Sequence, residues 1–339
     1  EIGIQPDVLI CRTDRNISQE LKDKIAMFCN VDTGNVFTSP DVQSIYELPL
    51  ELHRQGLDER ITEILNIWTR GARLEQWERI VEVIKRPSKG EVKIAVVGKY
   101  VDLKESYKSL NEALLHGGIA NECSVSLVYV DSQEVETSGA EAMLKNCDAI
   151  LVPGGFGVRG TEGKIQAVKY AREKKVPFFG ICLGLQMDVI EFARHVVGLA
   201  GANSVEFDEK TSNPVVSLME SQVGVKDKGG TMRLGSYKCA LKPSSLAHRL
   251  YGKDQISERH RHRFEVNNQY RSKLSEAGLV FSGTNPEHDL VEMIELEQHP
   301  HFVGCQFHPE FQSKPFAPHP LFSGFIRAAL AARDRSKKS

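Results

Sequence analysis

Four apolar runs alternate with amphipathic segments between residues 92 and 197, and this alternation limits the possible folds more than any other feature of the sequence. The runs are VKIAVVGKY, SVSLVYV, CDAILVPGG and VPFFGICLG. Helical spacing of apolar residues covers Tyr107–His116, Glu162–Glu173 and Gly184–Val197. Buried strands that alternate with helices predict an α/β fold, in which a mostly parallel sheet is flanked by helices on both faces.

A change of composition near residue 86 marks the start of this alternation. LEQWERIVEVIK has helical spacing, and RPSKGE follows with proline, glycine and charge. Further upstream, DVLICR and KIAMFCNV are strand-like runs, which is typical of the tail of another α/β domain. We predict that tail over residues 1–73, a helix and linker over 74–91, the main domain over 92–333 and a charged tail over 334–339.

The composition excludes several classes of partner. The 43 Lys and Arg residues nearly balance the 45 Asp and Glu residues, so net charge gives no reason to expect a nucleic acid or a membrane as partner. The sequence has no apolar run of about 20 residues and no signal pattern, which predicts a cytoplasmic protein. Its seven cysteines lack Cys-x-x-Cys spacing, so neither a disulfide framework nor a metal site is expected.

Cys182 is the candidate nucleophile. It lies between Gly180 and Gly184, where an apolar strand meets a helix, and this is the layout of a nucleophile elbow. A helix N-terminus favours the thiolate, and the N–H of Leu183 is placed to donate to an oxyanion. A cysteine in an apolar run is more often a small buried residue, and we interpret the other six cysteines in that way.

His308 and Glu310 are the candidate base and its orienting group. Both lie in VGCQFHPEF, two residues apart at the end of an apolar strand, so their side chains point the same way. A base has to reach the thiol while a third group holds its tautomer. Alone, this three-residue pattern is weak, and the interpretation depends on the pairing with Cys182.

Gly155, in LVPGGFGVRGTEG, is the candidate second oxyanion donor because an unhindered amide can approach a carbonyl oxygen closely. With Gly157 and Gly160 it also fits the Gly-x-Gly-x-x-Gly pattern of dinucleotide-binding folds. That alternative is disfavoured, since this strand is not the first of the fold and no acidic residue at a strand end follows at about 20 residues.

PGGFG, GICLGLQ and FHPEF, in this order, resemble the class I glutamine amidotransferases, whose glutaminase domain is flavodoxin-like. KIAMFCNV, DVQSIYELPL, VGKYVDLKESYKSLNEAL, GGTMRLG, ERHRHRFEVN and HPLFSGF resemble the CTP synthase family over essentially the whole chain. The resemblance implies that residues 1–73 are the C-terminal part of a synthetase domain, most of which the chain is expected to lack.

The resemblance implies that Cys182 attacks glutamine to form a thioester, His308 transfers the proton, Glu310 orients it, and Gly155 and Leu183 stabilise the oxyanion. The ammonia would serve the ATP-dependent amination of UTP to CTP. ATP and Mg²⁺ are expected for the intact enzyme, with GTP as activator and a homotetramer as assembly. No cofactor is expected in the glutaminase domain.

The resemblance also implies binding residues for two ligands. Glu206 would bind the ammonium of glutamine, and Arg263 would bind its carboxylate in bidentate fashion. The glutamine-binding set is Gly155, Leu183, Gly184, Leu185, Gln186, Glu206 and Arg263. The nucleotide-binding set is Lys24, Asp41 and Val42.

Two alternatives stay open at this point. One is another class I amidotransferase or a γ-glutamyl hydrolase, against which the first 70 residues argue. The other is a module that only binds or assembles, against which the intact residues Cys182, His308 and Glu310 argue.

Overall fold

The computed structural model describes residues 3–99, 104–218 and 232–337, so parts of GGTMRLG and VGKYVDLKESYKSLNEAL lie outside the described residues. The chain divides into two compact units, Glu1–Ser88 and Lys89–Ser339. None of the helices in the described ranges combines the length and apolar character that crossing a membrane requires.

The first unit contains a small parallel sheet. Strand β1 (Leu9–Thr13) pairs with β2 (Val36–Pro40). The helices of this unit are α1 (Gln19–Cys29), α2 (Leu48–Arg54), α3 (Leu57–Ile64) and α4 (Glu75–Lys85). Helix α4 packs within this unit, because the Trp77 ring lies 6.1 Å from that of Tyr46 and Lys85 forms an ion pair with Glu47.

The prediction of a strand at KIAMFCNV was wrong, since most of this run belongs to α1. The helix begins after Ser18, whose hydroxyl accepts a hydrogen bond from the N–H of Leu21, and it ends at Asn30 in the left-handed conformation. A short apolar run fits a buried strand or a buried helix equally well. The capping serine upstream decides between them.

The second unit contains the remaining strands and helices. Its strands are β3 (Glu91–Gly98), β4 (Ser124–Asp131), β5 (Ala149–Val152), β6 (Phe178–Ile181), β7 (Asn203–Ser204), β8 (Pro214–Ser217), β9 (Arg233–Leu241), β10 (Gln255–His262), β11 (Glu265–Val266), β12 (Val280–Asn285), β13 (Leu290–Glu295) and β14 (Phe302–Cys305). Its helices are α5 (Lys108–Asn121), α6 (Ser132–Ser138), α7 (Ala140–Leu144), α8 (Thr161–Lys174), α9 (Leu183–His195), α10 (Leu246–Tyr251), α11 (Arg271–Glu276) and α12 (Pro320–Ser336).

The central sheet has the strand order β10-β9-β12-β13-β14-β6-β5-β3-β4 within the described residues. Strands β14, β6, β5, β3 and β4 are parallel, and the sheet continues from β14 to β10 as antiparallel strands. A smaller sheet joins β11, β8 and β7. The predicted α/β fold with a sheet flanked by helices is confirmed.

Two hydrophobic cores cover the two faces of this sheet. Ile150 and Val152 of β5 pack with α8 and α9 on one face, whereas Leu151 packs with α5 and α12 on the other. Successive side chains of a strand point to opposite faces, so strands that are apolar throughout bury both faces. Packing on both faces of the sheet therefore fixes the position of the edge at which the parallel strands end.

Glycines allow α9 to lie directly against the strand ends. A Cβ atom on Gly184 would lie 2.3 Å from the carbonyl oxygen of Val152, and Cβ atoms on Gly180 and Gly304 would lie 2.5 and 2.6 Å from Asp188 Oδ2. A larger residue at any of these positions would push the helix away from β5, β6 or β14. These contacts set the position of the residue between β6 and α9, which is Cys182.

We expect Gly184→Ala to lower the free energy of unfolding of the second unit by about 3 kcal/mol, since a clash with a backbone oxygen cannot be relieved by rotating a side chain. Urea denaturation followed by circular dichroism measures this loss. Gly71→Ala is the control, because a Cβ atom there meets nothing within 4 Å. Equal stability of the Gly184→Ala variant and the parent would contradict the close packing.

Candidate active site

Cys182 occupies a strained turn between β6 and α9. Its φ of 53° and ψ of −100° lie in a region that residues with a Cβ atom rarely adopt. Its N–H donates to the carbonyl oxygen of Cys305 at 2.7 Å, which fixes the turn to the neighbouring strand. The next N–H, that of Leu183, begins the helix and therefore has no intrahelical acceptor.

His308 reaches Cys182 because β14 lies beside β6 and runs parallel to it, so both chains leave the sheet at the same edge. The Nδ1 atom of His308 lies 2.8 Å from Glu310 Oε1, and the ring is also hydrogen-bonded to Cys182. Since a carboxylate can only accept, Nδ1 carries a proton and Nε2 is the atom available to the sulfur. The three residues form one hydrogen-bonded array.

The charge state of His308 follows from its neighbours. Burial alone lowers the pKa of His308, but the hydrogen bonds and charges of Cys182 and Glu310 outweigh burial and raise this pKa to about 10. The imidazolium is therefore the favoured form at neutral pH. A cationic ring beside the sulfur favours the thiolate, which is the nucleophilic form of cysteine.

A cavity of about 510 Å³ opens onto the sulfur. The predicted site residues that line it are Gly155, Cys182, Gln186, Glu206, Arg263 and His308. Gly155 lies close to Leu183, because a Cβ atom on Gly155 would approach the Leu183 side chain to 3.3 Å. The two predicted oxyanion donors are thus neighbours beside the nucleophile.

Gly184 and Leu185, which belong to the predicted glutamine-binding set, do not line this cavity. Gly184 faces the Val152 carbonyl group, and Leu185 is fully buried in the core. A helix turns by about 100° per residue, so only Gln186, one turn after Cys182, returns to the cavity side. The side chain of Leu183 is buried as well, which leaves its backbone N–H as the group that can act.

Side chains of opposite charge line the cavity. Glu206, in the loop after β7, accepts a hydrogen bond from the N–H of Gly157 at 2.8 Å. Arg263, between β10 and β11, lines the same cavity. One carboxylate and one guanidinium at a single cavity can bind the ammonium and the carboxylate of a free amino acid.

A buried cluster of charged residues lies next to the cavity wall, and it was not predicted from the sequence. Arg233 pairs with Glu265 at 3.1 Å and with Glu292 at 2.7 Å. Burial raises the pKa of Glu265 to about 8 although Arg233 opposes the rise, and burial lowers the pKa of His262 to about 3. One guanidinium neutralises one carboxylate, so the other carboxyl group is held protonated. His262 joins this cluster to the cavity.

Gln306 was also missed, although its amide nitrogen lies 3.7 Å from the sulfur of Cys182. The sequence carried a signal for it. Gln306 directly follows the apolar strand and precedes His308 by two residues, so it belongs to the same short run that carries the candidate base.

The predicted nucleotide-binding residues lie on two elements of the first unit. Lys24, on α1, pairs with Glu20 at 2.8 Å. Asp41, directly after β2, pairs with Arg12 at 3.2 Å, and Val42 follows it. Their nucleotide role stays a prediction.

Two protein-family models match the chain, one within the second unit and one within the first. The sequence model described as Glutamine amidotransferase class-I matches residues 102–328, which is most of the chain. The chain therefore belongs to the class I glutamine amidotransferase family. A second sequence model, described as CTP synthase N-terminus, matches residues 1–67.

Curated proteins that are similar to the chain include CTP synthases. The chain is 58% identical to the one from Geobacter metallireducens over 339 residues, which are 100% of this chain and 63% of the relative. It is also 58% identical to the one from Pelobacter propionicus, covering 98% of this chain and 62% of the relative. The chain thus spans somewhat less than two thirds of the length of these relatives.

A solved structure agrees with the second unit. The glutaminase domain of a Trypanosoma brucei CTPS, determined with bound acivicin, is 39% identical and has a TM-score of 0.66. The similarity covers 70% of this chain and 93% of that domain.

We expect Glu310→Gln to lower the pKa of His308 by about 1 to 2 pH units, because the lost carboxylate charge stabilises the imidazolium. NMR titration of the His308 ring protons measures this value. Glu287→Gln, which removes an exposed carboxylate paired with Lys238, is the control and leaves the titration unchanged. An unchanged titration in Glu310→Gln would show that the carboxylate does not set the charge of His308.

The same pKa has a consequence for stability. A pKa raised in the folded state contributes stability that is complete below the ordinary value of 6.5 and is lost as pH rises towards 10. We expect Glu310→Gln to reduce this loss, as measured by urea denaturation across that pH range.

Arg233→Met is expected to lower the free energy of unfolding by about 3 to 5 kcal/mol, since it leaves Glu265 and Glu292 buried without a cation. The loss is smaller at pH 5 than at pH 8, because protonation neutralises the carboxylates. Lys238→Met on the same strand removes an exposed ion pair and costs less than about 1 kcal/mol. Urea denaturation at both pH values separates the two; equal losses would contradict the role of the cluster.

Proposed function

We propose that this chain hydrolyses glutamine at Cys182 and that the released ammonia is used to convert UTP to CTP. The observation that carries the first part is the array of Cys182, His308 and Glu310 at a cavity lined by Glu206 and Arg263. The names of the relatives support the second part.

The first half of the reaction forms a thioester. The thiolate of Cys182 attacks the side-chain carboxamide carbon of glutamine, and the carbonyl oxygen becomes negative. The backbone N–H groups of Leu183 and Gly155 donate to that oxygen. His308 then gives its Nε2 proton to the amide nitrogen, the C–N bond breaks, and ammonia leaves.

The second half restores the thiolate. His308, now neutral, takes a proton from water, and the water oxygen attacks the thioester carbon. The C–S bond breaks, glutamate leaves, and Cys182 is again an anion beside an imidazolium. Glu310 holds the ring through both halves, because its hydrogen bond to Nδ1 fixes the tautomer and stabilises the cation.

Glu206 and Arg263 select free glutamine. A free amino acid carries an α-ammonium and an α-carboxylate, whereas a glutamine residue within a peptide has neutral amides at both positions. Each charge of the free amino acid can pair with its opposite in the cavity, which the neutral amides of a peptide cannot do. A γ-glutamyl peptide also keeps both charges on its terminal glutamyl group, so it is the match of residues 1–67, and not this pairing, that argues against a γ-glutamyl hydrolase.

The synthetase part of the proposal rests on the resemblance of residues 1–67 and on the relatives. UTP and ATP would be its substrates, Mg²⁺ would accompany ATP, and GTP would be an activator. Lys24, Asp41 and Val42 are the proposed nucleotide contacts. Among the described residues no group of three or more His, Cys, Asp or Glu could hold a metal ion. A homotetramer and a cytoplasmic location stay predictions.

Covalent labelling tests the glutaminase proposal. A glutamine analogue with an electrophile at the amide position is expected to give one adduct on Cys182, found by intact mass and peptide mapping. Excess glutamine prevents it, and Cys182→Ala removes it together with glutamate release. The exposed thiol of Cys29 serves as internal control for non-selective alkylation. A chain that gives no adduct on Cys182 would favour the binding or assembly module instead.

Arg263→Met is expected to raise KM for glutamine by about 10- to 100-fold with a smaller change in kcat, because a charged hydrogen bond to the bound carboxylate is lost. Steady-state glutamate release gives both constants. Arg271→Met is the matched control, since Arg271 pairs with Asp289 away from this cavity. A fall in kcat at unchanged KM would assign Arg263 a different role.

A further inference from the structure

A second polar side chain from the end of β14 reaches the nucleophile. Gln306 directly follows this strand, is fully buried, and has its Nε2 atom 3.7 Å from the sulfur of Cys182. His308, two residues later, contacts the same sulfur. The chain bends at Gln306 and Phe307 after β14 ends, so the short segment that leaves this one strand carries both groups to the nucleophile.

A backbone carbonyl group fixes which end of the Gln306 amide faces the sulfur. The Nε2 atom of Gln186 lies 3.2 Å from the carbonyl oxygen of Phe264, and that oxygen can only accept. The same Nε2 atom lies 3.3 Å from Gln306 Oε1. The oxygen of Gln306 therefore faces Gln186 as acceptor, which directs its NH₂ group to Cys182. If the Gln186 amide were turned by 180°, its Oε1 atom would face the carbonyl oxygen of Phe264, and both atoms are acceptors.

His262 is fixed by the same carbonyl group and cannot act as an alternative base. Its Nδ1 atom lies 3.1 Å from the Phe264 oxygen and so carries the proton. Its Nε2 atom accepts from His260 Nδ1 at 2.9 Å. Both nitrogen atoms of His262 are used away from the sulfur, although its ring lines the cavity.

We infer that Gln306 is a further catalytic residue, whose amide N–H donates to the sulfur of Cys182 and stabilises the thiolate. An amide proton is too weakly acidic to be transferred, so this donor stabilises the anion without protonating it, in contrast to the imidazolium of His308. Gln186 acts through Gln306 as a positioning residue.

The donor acts at two points of the reaction. When the thioester forms, the sulfur loses its negative charge and the hydrogen bond weakens. When the C–S bond breaks, the charge returns and the bond strengthens, which favours departure of the thiolate. The inference rests on the proposed function, because the sulfur is the nucleophile there, but the donor itself can be tested without turnover.

Alkylation of Cys182 by iodoacetamide across a pH range is the test, with peptide mass mapping of each site. The ionisable groups around the sulfur are His308 with Glu310 behind it and Cys305 on the protein side. The charged or titratable groups in the cavity lining are Glu206, Arg261, His262 and Arg263. Gln306→Met keeps the length of the side chain and removes the donor. We expect the pH of half-maximal alkylation of Cys182 to rise by about one unit, the size of one hydrogen bond to a charged group.

Two controls keep the test decisive. Cys29 is exposed in the other unit, and its alkylation profile stays unchanged in every variant. Gln306→Leu, which is also uncharged and also lacks the N–H donor, is used beside Gln306→Met and by itself if that variant does not fold, as judged by thermal unfolding. It is expected to shift the profile in the same direction. A folded variant of either kind with the parent profile at Cys182 would overturn the inference.

The two proposals fail in different ways. Adduct formation by the glutamine analogue together with an unchanged iodoacetamide profile would overturn the role of Gln306 and leave the glutaminase proposal standing. A shifted iodoacetamide profile without any adduct from the glutamine analogue would support the donor at the sulfur and contradict the glutaminase proposal.

Discussion

The direct contact between α9 and the ends of three parallel strands is the constraint on which the active site depends. Gly184 lies against the Val152 carbonyl group, and Gly180 and Gly304 leave room for the carboxyl group of Asp188. The left-handed backbone of Cys182 costs about 1 to 3 kcal/mol and persists only where the surroundings hold both sides of the turn. Here the helix holds one side, and a hydrogen bond to the β14 backbone holds the other.

Electrostatics then gives different roles to two histidines on one cavity. The pKa of His308 is raised because a carboxylate and a sulfur contact its ring, whereas that of His262 is lowered because burial and the nearby Arg233 disfavour its cation. Both rings line the cavity, and both are bound by acceptors at Nδ1. The acceptor at Nδ1 decides the charge of each ring. The carboxylate beside His308 stabilises an imidazolium that can donate a proton, whereas the neutral carbonyl group beside His262 leaves that ring an uncharged part of the cavity wall.

Much of the fold followed from the sequence because its signals are local. These signals are the apolar runs, the glycines around Cys182 and the two-residue spacing of His308 and Glu310. Each of them spans only a few residues of the sequence. The helix over KIAMFC was missed because Ser18 decides it from outside the run. Gln306 was missed because its role requires knowing that β14 lies beside β6, and the pairing of Arg233 with Glu292 joins strands 59 residues apart.

The position of β14 in the sheet also has a consequence for the order in which the chain becomes chemically competent. Cys182 and Gln306 are 124 residues apart in sequence, yet they meet directly after the ends of adjacent strands. A ribosome therefore releases the nucleophile long before the strand that carries its proton donor, and such distant pairings form late in folding. During that interval the cysteine lacks the ring that activates it. The thiol therefore keeps only the ordinary reactivity of a free cysteine until the final strand has inserted.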